Sequence, residues 1–277
     1  MDSTKETKTP ILEHIEELRV RLIYVMVTVG VIALFCFMFN LRKTELSGFP
    51  IYYPYPDIFN SIAAVVFKKL QADLLPEGVQ IIQTAPAQAL LALLYISLFL
   101  GVVFGMPMIV YQTVKFVAPA LYPHEKKMIL RMILPSTALF VSGCIFSYYL
   151  LTPFTLYFLY RYGFAAGIVT FLTMDEFISF VVLFTSAFGL AFQLPIIMFL
   201  LSEAGVVEPE FWKENFRIAV FVMFLFGAII TPDGSGVTMC LVALPMIGLY
   251  ALGYFLIQNR RTAKHKKQLI FTSKNVS

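Results

Sequence analysis

The chain has 277 residues and a formal net charge of +4, from 21 lysines and arginines against 17 aspartates and glutamates. Hydrophobic residues make up 59% of the chain and charged residues 14%, whereas soluble globular domains are about 45–50% apolar. This composition excludes an ordinary soluble domain and predicts an all-helical protein with several membrane spans. Three cysteines lie inside apolar runs and are interpreted as small core residues rather than disulfide partners: Cys36, Cys144 and Cys240.

The first patterned segment, residues 10–21, predicts a short amphipathic helix. Its apolar positions recur at helical spacing: Ile15, Leu18 and Leu22. At about 100° per residue, Glu17 and Arg21 fall on a different face, so we expect the helix to lie on the membrane with its carboxylates exposed. The apolar run that follows is long enough to cross a bilayer, and we expect it to stay as an anchor rather than be cleaved as a signal peptide.

Six apolar segments are predicted as membrane spans: residues 22–39, 87–111, 130–151, 177–201, 216–230 and 237–257. The fifth would reach only roughly 22 Å at about 1.5 Å per residue, against a hydrocarbon layer of about 30 Å. Either it does not cross fully or the bilayer thins around it. In the fourth, Pro195 removes an amide donor and predicts a bend beside the buried polar residue Gln193. We expect such bent helices to form a concave bundle.

Two of the connectors between spans are predicted to be ordered. Residues 40–86, between the first two spans, are interpreted as an ordered cap with an amphipathic helix near residues 58–75. The loop at residues 112–127 is rich in bulky side chains and proline, including Phe116 and Pro119, and predicts a shaped surface.

The end of that second loop places a carboxylate at a helix start. Pro123 suits the first position of the next helix, so Glu125 falls in its first turn, where the helix dipole keeps it ionised. A fixed anion beside apolar residues such as Tyr122 suits an extended ligand that is both cationic and apolar. The loop taken alone favours an ordinary interfacial hairpin with an aromatic anchor.

The distribution of lysine and arginine predicts the orientation. Most of these residues lie on the side of the two termini, including the basic tail at residues 258–277. Positive charges in short connectors stay on the cytoplasmic side. The termini and the loop at residues 112–127 are therefore predicted to be cytoplasmic, in a multi-pass protein of the cell membrane, with Glu17 and Glu125 at the same face.

Four motifs, in the same order along the chain, resemble those of one family. His14-Ile15-Glu16-Glu17-Leu18-Arg19-Val20-Arg21-Leu22 resembles the HLxELRxRL signature of the TatC family, the receptors of the twin-arginine translocase. Phe116-Val117-Ala118-Pro119-Ala120-Leu121-Tyr122-Pro123-His124-Glu125 resembles the family's first cytoplasmic loop. Ala187 to Pro195 and Thr231-Pro232-Asp233 match later landmarks. The match covers about residues 11–256.

The resemblance implies a non-enzymatic membrane receptor without a cofactor. It also implies that transport is driven by the proton gradient. It implies that Glu17 and Glu125 bind the paired arginines of export signals on folded cargo, because a guanidinium fork makes bidentate bonds that lysine cannot reproduce. The remaining implied signal-binding residues are Leu18, Arg19, Phe116, Pro119 and Tyr122. The implied partners are signal peptides, small single-span proteins of the TatA and TatB type, lipid and a possible second copy of the chain, with no nucleic acid.

Two positions depart from the family pattern. Many members have a glutamate in the fourth span where this chain has Gln193, so only a hydrogen-bonding role carries over there. After Thr231-Pro232 the family often continues with a second proline, whereas this chain has Asp233 at the periplasmic rim. Contacts with partner helices near that rim can therefore differ.

Two other classes of protein were considered. An intramembrane serine protease would use Ser235, but all three histidines, His14, His124 and His265, are predicted on the opposite side of the membrane. A secondary transporter with six spans is the remaining alternative. It would be expected to carry an internal repeat and paired broken helices, and the sequence has neither.

Overall fold

In the computed structural model of the chain, the described residues are 10–46, 49–76, 78–117, 126–168, 171–203, 205–231 and 235–274. They form, in order, α1 (Pro10–Met38), β1 (Phe39–Leu46), β2 (Phe49–Pro56), α2 (Ile62–Leu74), β3 (Gln80–Ile82), α3 (Gln88–Val117), α4 (Lys126–Phe146), a π-helical turn (Ser147–Leu151), α5 (Thr152–Ala165), β4 (Phe171–Thr173), α6 (Met174–Ala191), α7 (Leu194–Glu203), α8 (Pro209–Glu214), α9 (Phe216–Ile230) and α10 (Gly236–Lys274). The fold is mostly helical, and these four short strands depart from the all-helical prediction.

Among the described residues, five helical stretches are long and apolar enough to cross a membrane: His14–Met38, Gln88–Phe116, Met132–Ala165, Met174–Glu203 and Gly236–Arg260. The predicted fifth span is α9, a shorter apolar helix of 15 residues with the predicted bounds. The six predicted apolar segments overlap these helices, and the chain is a multi-pass membrane protein.

Several helices continue beyond their predicted ends. Helix α3 runs to Val117, so Phe116 lies on a helix and not in a loop. Helical structure continues from α4 through the π-helical turn into α5. Pro153 does not interrupt it, because it lies in the first turn of α5, where a missing amide N–H costs little. Helix α10 extends to Lys274, so most of the basic tail is helical. The predicted ends follow the edge of the apolar run, whereas polar residues at a membrane surface remain good helix formers.

The chain divides into two compact units. The first comprises Met1–Leu75, Ile81–Ala138 and Leu172–Val182, and the second comprises Pro76–Gln80, Leu139–Phe171 and Leu183–Ser277.

The first unit is built on the antiparallel pair α1 and α3. Two glycines of α3 allow the close approach: a Cβ on Gly101 would lie 2.6 Å from the Val29 carbonyl oxygen, and one on Gly105 would lie 3.3 Å from the Val29 side chain. Small residues spaced four apart are typical of tightly packed membrane helices. The apolar stripe of α1 at Ile15, Leu18 and Leu22 remains exposed, where lipid can cover it.

The connector predicted as a cap contains a hairpin that the sequence did not reveal. Strands β1 and β2 pair antiparallel from Phe39 opposite Pro56 to Leu46 opposite Phe49. The prolines of β2 argued against a strand, but both strands of a two-stranded sheet are edges, where proline is tolerated. The predicted amphipathic helix is present as α2, capped by Ser61, whose Oγ accepts from the Ala64 amide.

A polar turn joins the hairpin to α2. The amide of Asn60 donates to Asp57 Oδ1 over 3.0 Å. This backbone hydrogen bond is the main reason that the pKa of Asp57 lies below its usual value.

The second unit packs the later helices through close glycine contacts. A Cβ on Gly143 of α4 would lie 2.7 Å from the Phe188 carbonyl oxygen, and one on Gly189 of α6 would lie 2.7 Å from the Phe140 ring. The fourth predicted span is interrupted between α6 and α7, just before Pro195. Trp212 of α8 donates from Nε1 to Ser202 Oγ over 2.8 Å, and the Tyr250 hydroxyl of α10 donates to the Trp212 carbonyl over 2.6 Å.

Candidate functional site

A polar groove of about 560 Å³ lies between the N-terminal half of α1 and the C-terminal third of α3. The polar lining groups include carboxylates and cations, and the apolar ones include a tyrosine and a methionine. The lining residues are Glu16, Glu17, Val20, Arg21, Tyr24, Met108, Gln112 and Lys115. The groove therefore presents charges of both signs beside apolar surface, within the first unit.

A chain of hydrogen bonds crosses the groove from α1 to α3. Arg21 Nε donates to Glu17 Oε1 over 3.1 Å, and a second Arg21 N–H bonds the same oxygen. Arg21 Nη1 also donates to Gln112 Oε1 over 3.4 Å. The Arg21 side chain is 13% exposed and that of Glu17 is 33% exposed. Glu17 is therefore half-buried and not exposed as expected, because α3 packs beside the polar face of α1.

An aromatic contact closes the end of the same helix pair. The rings of His14 and Phe116 stack with centroids 4.3 Å apart and planes 18° apart. The Nδ1 atom of His14 lies 3.8 Å from Glu17 Oε2. His14 thus lies between Glu17 and Phe116, and the structure brings together one residue from each of the first two family motifs.

The other residues predicted for signal binding are distributed differently. Leu18 and Arg19 are exposed and do not line the groove, and the guanidinium that bonds Glu17 is that of Arg21. Pro119, Tyr122 and Glu125 lie outside the described residues, as does Asp233.

Arg21 and Gln112, which form the hydrogen bonds across the groove, were not singled out from the sequence as site residues. The sequence predicts Gln112 as the first loop residue, but it is buried on α3 and its side-chain oxygen accepts from Arg21. The sequence predicts Arg21 on the polar face of the first helix, and its four-residue spacing from Glu17 is the available signal for their ion pair. No sequence pattern pointed to Gln112, because its role depends on how α1 packs against α3.

The second unit contains an apolar groove of about 730 Å³. It is lined by residues of α6, α7, α8, α9 and α10, including Trp212 and Tyr250. Gln193 is buried at the break between α6 and α7. Its backbone N–H donates to the Leu190 carbonyl and its backbone carbonyl accepts from the Ile197 N–H, so backbone hydrogen bonds continue across the break. Among the described residues, no group of three His, Cys, Asp or Glu side chains could hold a metal ion.

Several long apolar helices, with a charged groove between one pair of them, define an integral membrane protein. A family model described as Sec-independent protein translocase protein (TatC) matches residues 13–245. The chain belongs to this family. It is therefore a component of the Sec-independent (Tat) protein transport system, and its family is one of translocase proteins rather than enzymes.

Individual relatives extend over nearly the whole chain. The TatC protein of Cenarchaeum symbiosum is 44% identical over 254 residues, covering 92% of this chain and 96% of the relative. The TatC protein of Aquifex aeolicus is 34% identical over 261 residues, covering 94% and 98%. The crystal structure of a twin-arginine translocase receptor TatC superposes with a TM-score of 0.71 at 33% identity, covering 88% of this chain and 98% of that one.

Proposed function

We propose that this chain is the receptor subunit that binds twin-arginine signal peptides of folded cargo, and that the groove between α1 and α3 forms part of the binding site. The observation that carries the proposal is the position of His14, which stacks on Phe116 and lies 3.8 Å from Glu17 Oε2. An acidic group and an aromatic surface are thereby adjacent. A signal peptide with paired arginines followed by apolar residues needs both.

The chemistry of the groove favours a guanidinium ligand. Arg21 already bonds Glu17 Oε1, so the carboxylate is oriented before any ligand arrives. The ligand arginines would bond Glu17 and Glu125, which stands directly before α4 in the sequence. We assign Leu18, Arg19, Phe116, Pro119 and Tyr122 to the surrounding surface that receives the rest of the peptide.

The proposed topology has six spans in a single domain, with α9 as the short fifth one. Both termini are on the cytoplasmic side of the cell membrane. The support is the charge distribution, because α10 continues into a segment rich in lysine and arginine beyond residue 258. The groove containing Glu17 then opens toward the cytoplasm, where signal peptides are presented.

The partners in this proposal are single-span proteins of the TatA and TatB type, and transport is driven by the proton gradient. The apolar groove of the second unit supports partner docking, since its volume and apolar lining suit one face of an apolar helix. Gln193 lies in the same unit as a hydrogen-bonding group. We assign Asp233, which follows α9 in the sequence, to the periplasmic rim. A second copy of the chain is a further partner in this proposal.

The proposal can be tested by site-specific crosslinking in membranes. Photoreactive probes at Glu17, Phe116 and Glu125 should each capture a twin-arginine signal peptide, whereas a probe at Asp57 should not. Labelling at Asp57 in place of the groove probes would contradict both the orientation and the binding site.

Gln193 is expected to act as a hydrogen-bonding residue in assembly. Replacing it with leucine removes the amide group and should weaken association with partner helices by about 0.6–2 kcal/mol, the range for membrane hydrogen bonds. Co-purification of the partners with the detergent-solubilised receptor measures the effect.

The matched control is Gln193→Glu, which keeps an acceptor at the same position and restores the residue frequent in the family. This variant should assemble normally. Loss of partner association in the glutamate variant, at unchanged receptor abundance, would contradict the proposed role.

The short helix α9 is expected to thin the bilayer on one side of the protein. Its 15 residues reach roughly 22 Å, which leaves about 8 Å of hydrocarbon unmatched. Inserting four leucines into α9 should remove the mismatch and reduce export of a twin-arginine reporter. Unchanged export by a stably folded insertion variant would show that thinning has no part in transport.

A further inference from the structure

Near the root of the hairpin formed by β1 and β2, at residues 41–43 and 52–56, the side chains on both faces are exposed. Pairing in the hairpin places Leu41 opposite Pro54 and Lys43 opposite Tyr52, so these four side chains share one face. Asn40, Arg42, Tyr53 and Tyr55 share the other face. An isolated two-stranded sheet is marginally stable in water, so a hairpin of this length needs a covering surface.

The two faces differ in how far their side chains cover one another. On the second face, the Arg42 guanidinium lies over the Tyr55 ring, 4.2 Å from its centroid, so part of that face is covered from within. On the first face, Tyr52 is 62% exposed and Leu41 is 49% exposed. We call the set Leu41, Lys43, Tyr52 and Pro54 the Tyr52 face.

The root of the hairpin is fixed to the end of a membrane span. Helix α1 ends at Met38, β1 begins at the next residue, and the Asp57 amide donates to the Met38 carbonyl over 3.0 Å. The ring of Phe39 stacks on Phe35 of α1 with centroids 5.0 Å apart. Both strands therefore begin or end where the apolar span does, at the level of the membrane surface.

A bulky apolar residue is exposed at the same level. Phe59, in the turn closed by the Asn60–Asp57 hydrogen bond, is 91% exposed. A phenylalanine in such a position gains free energy if it enters lipid, because its apolar surface is removed from water.

We propose that the Tyr52 face lies on the lipid headgroup region of the bilayer at the Met38 end of α1. Tyrosine is favoured at this depth because its ring is apolar and its hydroxyl can bond water or headgroups. Lys43 complements the lipid phosphates by charge, while Leu41 and Phe59 enter the acyl boundary. The opposite face, with Tyr53 and Arg42, then points to water.

The test compares the two faces in the full-length protein in phosphatidylcholine vesicles. Tryptophan is introduced at Tyr52 or, as the matched control, at Tyr53, in a Trp212→Phe background that removes the chain's single tryptophan. Lipids brominated near the headgroup should quench Tyr52→Trp several-fold more than Tyr53→Trp, and aqueous iodide should do the opposite. Equal quenching of the two positions, or protection of Tyr52→Trp from both quenchers, would overturn the proposal, the second because it indicates a protein cover.

A measurement on the unmodified chain keeps the test independent of these substitutions. A phosphatidylcholine with a photoreactive group at the headgroup should form adducts on Leu41, Tyr52 or Phe59, as located by mass spectrometry. Adducts confined to Tyr53 and Tyr55, or absent from peptides covering residues 39–60 while α1 is labelled, would overturn the proposal.

Discussion

Replacing Glu17 with alanine is expected to weaken binding of a twin-arginine signal peptide at least about tenfold, because a charge-assisted hydrogen bond contributes more than the free energy of a tenfold change in affinity. The carboxylate is oriented by Arg21 and lies beside the His14–Phe116 stack, so its loss removes an acceptor that is already positioned. Binding of a labelled signal peptide to the detergent-solubilised receptor measures the effect. Receptor abundance and elution on size exclusion should be unchanged, since the groove is partly exposed.

Two comparisons separate a direct contact from a general effect of charge. Glu214→Gln removes one negative charge from an exposed position on α8 and should leave affinity unchanged. Peptides with the paired arginines changed to lysines should lose affinity on the native receptor, because an ammonium lacks the planar fork. In the crossed experiment, Glu17→Ala should make the lysine change less costly. Strictly additive losses would mean that Glu17 does not contact the arginines.

The sequence predicted the parts of the fold that depend on apolar length and period. The bounds of α9 follow directly from an apolar run between polar residues, and Pro195 indicated the break between α6 and α7. Helix ends were less accurate, because the polar residues that end an apolar run do not end a helix. A capping pattern in the sequence, Thr-x-x-Glu, indicates the true start of α6. The Thr173 amide donates to the Glu176 carboxylate, and the Glu176 amide donates to the Thr173 hydroxyl.

The sequence predicted those residues of the candidate site that stand in local motifs, and not those that matter through contacts between helices. Glu17 and Phe116 could be named because each stands in a local motif. Gln112 could not, since it matters only through its contact with Arg21, a residue of another helix 91 positions away in the chain. The hairpin at residues 39–56 was missed because its prolines suggest a loop, and the stability of a strand pair depends on a covering surface that the local sequence does not specify.

Replacing Gly101 with leucine is expected to disrupt the α1–α3 pair and the groove with it. Even the first side-chain atom would lie 2.6 Å from the Val29 carbonyl oxygen and 3.2 Å from the Ala33 Cβ. Backbone on one side and a short side chain on the other leave little room to adjust, so the helices must separate. Overpacking of a close-packed interior costs typically about 1–3 kcal/mol, which corresponds to several degrees in the thermal unfolding midpoint.

The matched control is Gly30→Leu on α1, where an added Cβ meets no atom within 4 Å and the position is exposed. Thermal unfolding of the detergent-solubilised protein should show a lower midpoint for Gly101→Leu and an unchanged or higher one for Gly30→Leu, since leucine is the better helix former. Separation of the pair would also pull His14 from Phe116 and Arg21 from Gln112, so Gly101→Leu should lower signal-peptide affinity without altering any groove residue. A Gly101→Leu protein with the native midpoint would show that α1 and α3 are not held at the distance the glycine permits.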